Sequence, residues 1–255
     1  AASKPPRAQA WERGGDEADM VHLMGNGRVS FAIGTDGAGD LVWKGNAVTC
    51  PAGRDRDRGH FLHLRGGRDT PLAATLSPFP PAAGRSAVIH PHKLEIRSQA
   101  GDLSAVHEML VAPVDDVALH RLRLVNHSAR TMHLDFASEA EIALAPLGEW
   151  NRHPAFARLF VEARHHPPTD ALVFSRRSRD ADAPGLAMAQ RIVGTPGRVR
   201  VTGFEVSRRH ARGRLDTHRA FPEVAARPAS LETHPLDAAS VLAARISLPA
   251  HGEAE

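Results

Sequence analysis

The chain has no tyrosine, a single cysteine and only 5% aromatic residues over 255 positions. Cys50 alone cannot form an internal disulfide, so the fold must rest on a packed core, and one lone thiol suits a reducing, cytoplasmic setting for this chain. No apolar run reaches the roughly eighteen residues that a membrane span requires, and the opening AASKPPRAQAW lacks the apolar centre of a secretory signal. Charge of one sign is missing as well, since Lys+Arg 32 against Asp+Glu 29 leaves a net +3. Arginine-rich stretches occur at SRRSRD (175–180) and SRRHARGRLDTHR (207–219), without interleaved aromatics or a nucleic-acid motif. They read as solvated loops, and nucleic acid is not expected as a partner.

Long helical periodicity is scarce, and period-two alternation takes its place. Candidate strands fall at 20–24, 28–34, 40–45, 60–65, 86–98, 103–112, 117–127, 132–145, 157–166, 171–177, 186–194, 199–207 and 241–249. Turn signals separate them, among them GNG (25–27), DGAGD (36–40), RGG (65–67), AGD (100–102), PVDD (113–116), NHSAR (126–130) and TPG (195–197). Alternation is clearest at His120–Asn126, where the leucines should face inward and Arg121 and Arg123 outward. The pattern predicts an all-β protein, a large antiparallel sandwich of two sheets packed face to face. Residues 1–19 read as a linker or N-terminal extension, 20–255 as the sandwich domain, and the proline-rich 215–238 as a surface excursion and the least ordered internal stretch.

No constellation of catalytic residues emerges. Asp115 and Asp116 sit in a turn, where aspartate satisfies backbone N–H groups, and Glu139 and Glu141 share one face of a strand, read as solvated. Sixteen histidines include His60 and His63, His90 and His92, and the adjacent His165 and His166, yet none has a recognisable metal-ligand spacing. They read as scattered surface histidines, and neither a metal nor a cofactor is expected. There is no GxSxG elbow, and GNG before Arg28 fits a hairpin turn rather than a phosphate cradle.

Five blocks carry a family likeness: GNGRVSFAIGTDGAGDLVWKGNAVT (25–49), LVAPVDDVALHRLRLVNHSART (110–131), SEAEIALAP (138–146), HPAFARLFVE (153–162) and ISLPAHGEA (246–254). In this order they resemble the N-terminal β-supersandwich of glycoside hydrolase family 94, a galactose mutarotase-like fold, and in particular the phosphorylase-like region of cyclic β-1,2-glucan synthases. In that family the sandwich precedes linker helices and an α/α barrel that carries the general acid and the phosphate site. The resemblance therefore implies a non-catalytic carbohydrate-associated module of a glycosyltransferase or glycoside phosphorylase. Its expected partners are that catalytic barrel, a weakly held β-glucan or oligosaccharide, and a second copy in a homodimer. The parent enzyme is expected at the inner membrane, and a chain closing at Glu255 is expected to lack the barrel. A purely structural or dimerisation scaffold is the competing class.

The family's aromatic positions are thinned here. Gly37, Ala38 and Gly39 are followed by Asp40 and Leu41 where a tyrosine is usual, and Cys50 and Pro51 follow Ala47, Val48 and Thr49 where a tryptophan is usual. Two places keep an aromatic beside hydrogen-bonding side chains: Trp43 with Lys44, and Trp150 with Asn151, Arg152 and His153. These six are the candidate substrate-binding residues, because a sugar ring needs a flat apolar face and polar groups for its hydroxyls. The following HPAFARLFVE (153–162) reads as a strand entered from a proline turn, with Phe156 anchoring the loop and Phe160 pointing inward. Burial of both tryptophans would favour the scaffold.

Overall fold

The fold is a computed structural model of the chain that describes residues 20–51, 59–66, 73–77, 85–177, 185–213, 221–224 and 232–255. The expected 1–19 linker lies outside these residues, as does most of the 215–238 excursion. The chain first runs as a meander, β1 (Val21–Gly25), β2 (Val29–Gly34), β3 (Gly39–Trp43) and β4 (Asn46–Thr49), then as a hairpin, β5 (His60–Gly66) and β6 (Ala73–Ser77). A second meander follows: β7 (Arg85–His90), β8 (Lys93–Ala100), β9 (Leu103–Val111) and β10 (Ala118–Asn126). The long strand β11 (Met132–Pro146) leads into two short helices, α1 (Leu147–Arg152) and α2 (Pro154–Arg158), and then into β12 (Val161–His166), β13 (Ala171–Arg176) and β14 (Leu186–Gln190). The chain closes with β15 (Val199–Ser207), α3 (Arg208–Arg212), β16 (Glu232–Thr233), β17 (Ala238–Leu248) and β18 (Glu253–Ala254).

All pairings are antiparallel, as the alternation predicts, and among the described residues they form three sheets rather than two. A nine-stranded sheet runs β1-β2-β3-β4-β11-β17-β15 with β5 and β6 attached to β11; β18-β10-β9-β8-β7 and β14-β13-β12-β16 form the others. Both smaller sheets pack on one face of the nine-stranded sheet. Leu134 and Phe136 of β11 meet Leu103 and Leu124 of the five-stranded sheet, and Ala140, Ile142 and Leu144 meet Val161, Leu172 and Phe174 of the four-stranded sheet. The sandwich thus has one shared layer and a divided second layer. Along β11 the division falls between Phe136 and Ala140; further on, the register to β4 shifts between Ile142 and Ala145, where Leu144 has φ of 42°.

Local chemistry explains the turns. Lys44 and Gly45 have φ of 45° and 77° between the paired Trp43 and Asn46, a two-residue turn of the kind whose twist matches its strands, and only glycine takes such angles without cost. The expected single strand 86–98 is instead a hairpin. Pro91 lacks an N–H for the ladder, so the chain reverses at Pro91 and His92 between the paired His90 and Lys93.

The stretch 153–162 departs most from its strand reading. Pro154 occupies the first turn of α2, where its missing N–H and fixed φ are no handicap, and extended structure begins only at Val161. Phe156 is 49% exposed and anchors nothing in the core; it meets Phe160 edge to face at 5.2 Å, and the Arg176 guanidinium lies 5.2 Å from the Phe160 ring.

Candidate functional site

The period of two divides β11 between the two faces of the nine-stranded sheet. Even-numbered residues from Leu134 to Leu144 enter the sandwich core. Odd-numbered residues face the other way, and what they meet changes along the strand. Ala143 and Ala145 pack under α1 and α2 with Trp150; Glu141 and Glu139 lie under α2 and α3; Asp135 opens into a groove.

This geometry separates the predicted sugar-binding residues. Trp43 packs with the Ile142 and Leu144 face, whereas Trp150 packs with Ala143 and Ala145, so the two indoles lie on opposite faces of one sheet. Trp150 is only 5% exposed, with the Arg158 guanidinium 5.3 Å from its ring, so it presents no surface to a ligand. Asn151, Arg152 and His153 are exposed beside it, Arg152 Nε donating to the Gly148 carbonyl at 2.9 Å. Trp43 is half-buried, with Lys44 Nζ 4.8 Å from its ring and its indole N–H donating to Asp116 Oδ2 at 2.7 Å. Arg28 Nε holds Asp116 Oδ1 at 2.5 Å, and the indole and guanidinium together keep the Asp116 carboxyl below its ordinary range. Asp116 is therefore a clasp between the β1–β2 and β3–β4 turns rather than a capping group of its own turn. Asn26 strengthens the same clasp by donating to the carbonyls of Ala112 and Asp115.

Two further expectations are corrected. Glu139 and Glu141, read as a solvated face, are 0% and 1% exposed. Part of the arginine-rich 207–219 stretch, read as a solvated loop, is α3, and its Arg212 is 4% exposed. Arg212 Nε contacts Glu139 Oε1 at 3.2 Å and Oε2 at 2.9 Å, and its Nη2 reaches Glu139 and His63, the last at 2.8 Å. Arg208 lies 3.0 Å and Arg158 3.4 Å from Glu141, and both also reach Asp237. Buried carboxylates with arginine partners are structural ion pairs: the charges could not be desolvated alone.

The groove opens where this helical cover stops. It has a volume of about 840 Å³, and the small residues Gly203, Ala243 and Ala244 are part of its lining. Asp135 is held at 3.0 Å by Arg65 and 3.5 Å by Arg245, and the Arg65 guanidinium also stacks 4.4 Å from the Phe221 ring. On the opposite side Glu205 lies 3.6 Å from His210 and accepts the backbone N–H groups of Val206 and Ser207. The Glu223 N–H donates to the Ala211 carbonyl, tying the 221–224 segment to α3. Two guanidinium groups and three carboxylates, those of Asp135, Glu205 and Glu223, leave no net positive charge to capture an anion. The lining instead offers alternating planar donors and acceptors beside an aromatic ring. Sequence reasoning missed this site, although Arg65, Asp135 and Arg245 occupy matched positions on neighbouring strands β5, β11 and β17.

No group of three or more His, Cys, Asp or Glu among the described residues is arranged to hold a metal ion, and no described helix is long and apolar enough to cross a membrane.

The described residues define an all-β, antiparallel multi-sheet sandwich. Residues 7–255 match the family described as glycosyl hydrolase 94, supersandwich domain, and the chain belongs to that family. The match begins within the 1–19 stretch. The chain is also similar to the cyclic beta-(1,2)-glucan synthase NdvB of Rhizobium meliloti (strain 1021), 29% identical over 199 residues. That alignment covers 75% of this chain but only 7% of the synthase.

Proposed function

We propose that this domain is a non-catalytic carbohydrate-associated module whose groove between β5, β11, β17, β15 and α3 holds a stretch of β-glucan beside the catalytic α/α barrel of a larger enzyme. The observation that carries this reading is the groove's lining: two guanidinium groups and three carboxylates with Phe221, over small residues. Carboxylates accept from sugar hydroxyls and guanidinium groups donate to them, while the free face of an aromatic receives the apolar C–H groups of a ring. The size falls within the roughly 300–1,000 Å³ of small-molecule sites. The groove is open, and Arg65 already covers one face of its aromatic, so affinity should be millimolar, about −4 kcal/mol. A homodimer contact is a further proposal, which sedimentation of the isolated chain would test.

The test is a titration of the 255-residue chain with β-1,2-gluco-oligosaccharides, followed by backbone amide shifts. Shifts should concentrate at Thr202, Gly203, Phe221 and Ala243, and Phe221→Ala or Asp135→Asn should weaken binding about 5- to 10-fold, the equivalent of about 1 kcal/mol. Trp43→Ala should leave the groove shifts unchanged. The scaffold reading is favoured by one observation, the burial of Trp150, and silence of the groove amides at high sugar concentration would establish it instead.

A further inference from the structure

The histidines expected on the surface include three that meet inside the protein at the junction of all three sheets. His107 of β9 and His120 of β10 come from the five-stranded sheet, His60 of β5 and Ser138 of β11 from the nine-stranded sheet, and Gln190 of β14 from the four-stranded sheet. They form one chain of contacts, with Gln190 Nε2 also 3.4 Å from His60 Nε2 at its end. His107 Nε2 lies 3.1 Å from His120 Nδ1, His120 Nε2 3.0 Å from His60 Nδ1, His60 Nε2 2.8 Å from Ser138 Oγ, and Gln190 Nε2 2.8 Å from the same hydroxyl. The His107 and His120 rings stack with centroids 5.3 Å apart, and His60 meets His120 edge-on at 4.0 Å. His107 Nδ1 and Gln190 Oε1, at the two ends, are buried with no hydrogen-bond partner among the described residues.

A neutral imidazole carries one N–H and one lone pair, so the tautomer of any ring in this chain dictates the next. Gln190 donates to Ser138, and the Ser138 hydroxyl then donates to His60 Nε2. His60 donates from Nδ1 to His120, and His120 donates from Nδ1 to His107. The chain can accept one extra proton, placed on His120, which then donates in both directions while His60 turns its proton toward Ser138. A second proton has no such place. It forces two N–H groups to face each other across about 3 Å, replacing an attraction with a like-charge contact.

We propose that this chain is an acid-released joint: it fastens the three sheets while it carries at most one added proton and lets them part when it takes up more. Burial supports the assignment, driving His60 down to about 4 and His107 to about 3, with His120 well below its ordinary range. His107 is 3% exposed, whereas His60 and His120 are half-buried, and their residual surface gives protons a route in. The charged surroundings are few. Glu139 of β11 favours protonation of His60 but is itself paired to Arg212 of α3, and His63 of β5 opposes it. From β2 the Phe31 ring packs 5.6 Å from His120, and Glu108 and Arg121, on the outer faces of β9 and β10, pair with each other. The unfolded chain binds a proton on each of the three rings below about pH 6.5, while the native joint binds at most one. The native state therefore loses stability as pH falls from about 6.5 toward 4, and below that range the remaining rings charge in both states.

The experiment is urea unfolding of the 255-residue chain at intervals from pH 6.5 to 5.0, comparing wild type with the double variant His107→Leu/His120→Phe. In wild type the three rings stay neutral in the native state over this range and charge in the unfolded one, each multiplying the unfolding constant by about ten per pH unit, so the joint contributes up to about a thousandfold per unit. The double variant should lose two of those three protons, its slope falling by about two. An unchanged slope overturns the proposal, because histidines free to titrate in the native state drop out of the difference. A readout that needs no variant is the ¹⁵N spectrum of the wild-type imidazoles. His60, His107 and His120 should remain neutral single tautomers at pH 5.5, and titration of all three near pH 6.5 overturns the joint as well.

Discussion

Replacing Arg212 with methionine should lower the stability of the domain by about 3–5 kcal/mol, the largest effect expected of any single change on its outer face. The Arg212 and Glu139 side chains are both 0% exposed, and removing the guanidinium leaves a carboxylate in the interior without its counter-charge. His63, 3.4 Å from the same carboxylate, can offset part of this by protonating, so the loss should be smaller at pH 5.5 than at pH 8. The double variant Glu139→Gln/Arg212→Met should recover much of the loss, because the cost arises from the stranded charge and not from absence of the pair. Urea midpoints at constant m-value measure both. A loss below about 1 kcal/mol for Arg212→Met would show that water reaches Glu139 and that the pair is not dry.

Trp150→Ala is the second large effect, about 3–5 kcal/mol, from the cavity left under α1 and α2. The indole fills the space over Ala47, Ala143, Ala145 and Ala157, whose small side chains cannot collapse into the void. The same variant, studied below its unfolding transition, should bind gluco-oligosaccharide with unchanged affinity, since Trp150 lies away from the groove and has almost no accessible surface. A stable Trp150→Ala protein with weakened sugar binding would reverse this assignment and return the site to the Trp150–His153 corner.

The two effects mark where sequence reasoning stopped. The alternation of β9, β10 and β11 is legible, including the inward Leu122 and Leu124 and the outward Arg121 and Arg123 of β10. It also placed His120 on the parity of Leu122 and Leu124, and His107 on that of Ala105 and Met109, so their inward direction was available in principle. Their meeting was not, since it requires β5, β9 and β10 to be brought together from positions as much as 60 residues apart. Glu139 and Glu141 share one face, as the alternation predicts, but that face is covered rather than solvated. Its cover is α3, and Arg212 lies 73 residues beyond Glu139 along the chain.

The α1 and α2 corner failed for a different reason. Pro154 is compatible both with a turn into a strand and with the first turn of a helix, and the five residues Pro154–Arg158 are too few to show a period. Packing of Trp150 and Ala157 on the odd face of β11 decides between them. Most strand positions, the antiparallel class and the family membership of this domain were determined by its sequence alone, because side-chain alternation and turn chemistry are local properties of the chain. Which face of each strand becomes core, which charges are buried as pairs, and where a groove remains were decided only by the tertiary structure. Burial depends on what covers a face, and here the covering groups arrive from distant parts of the chain.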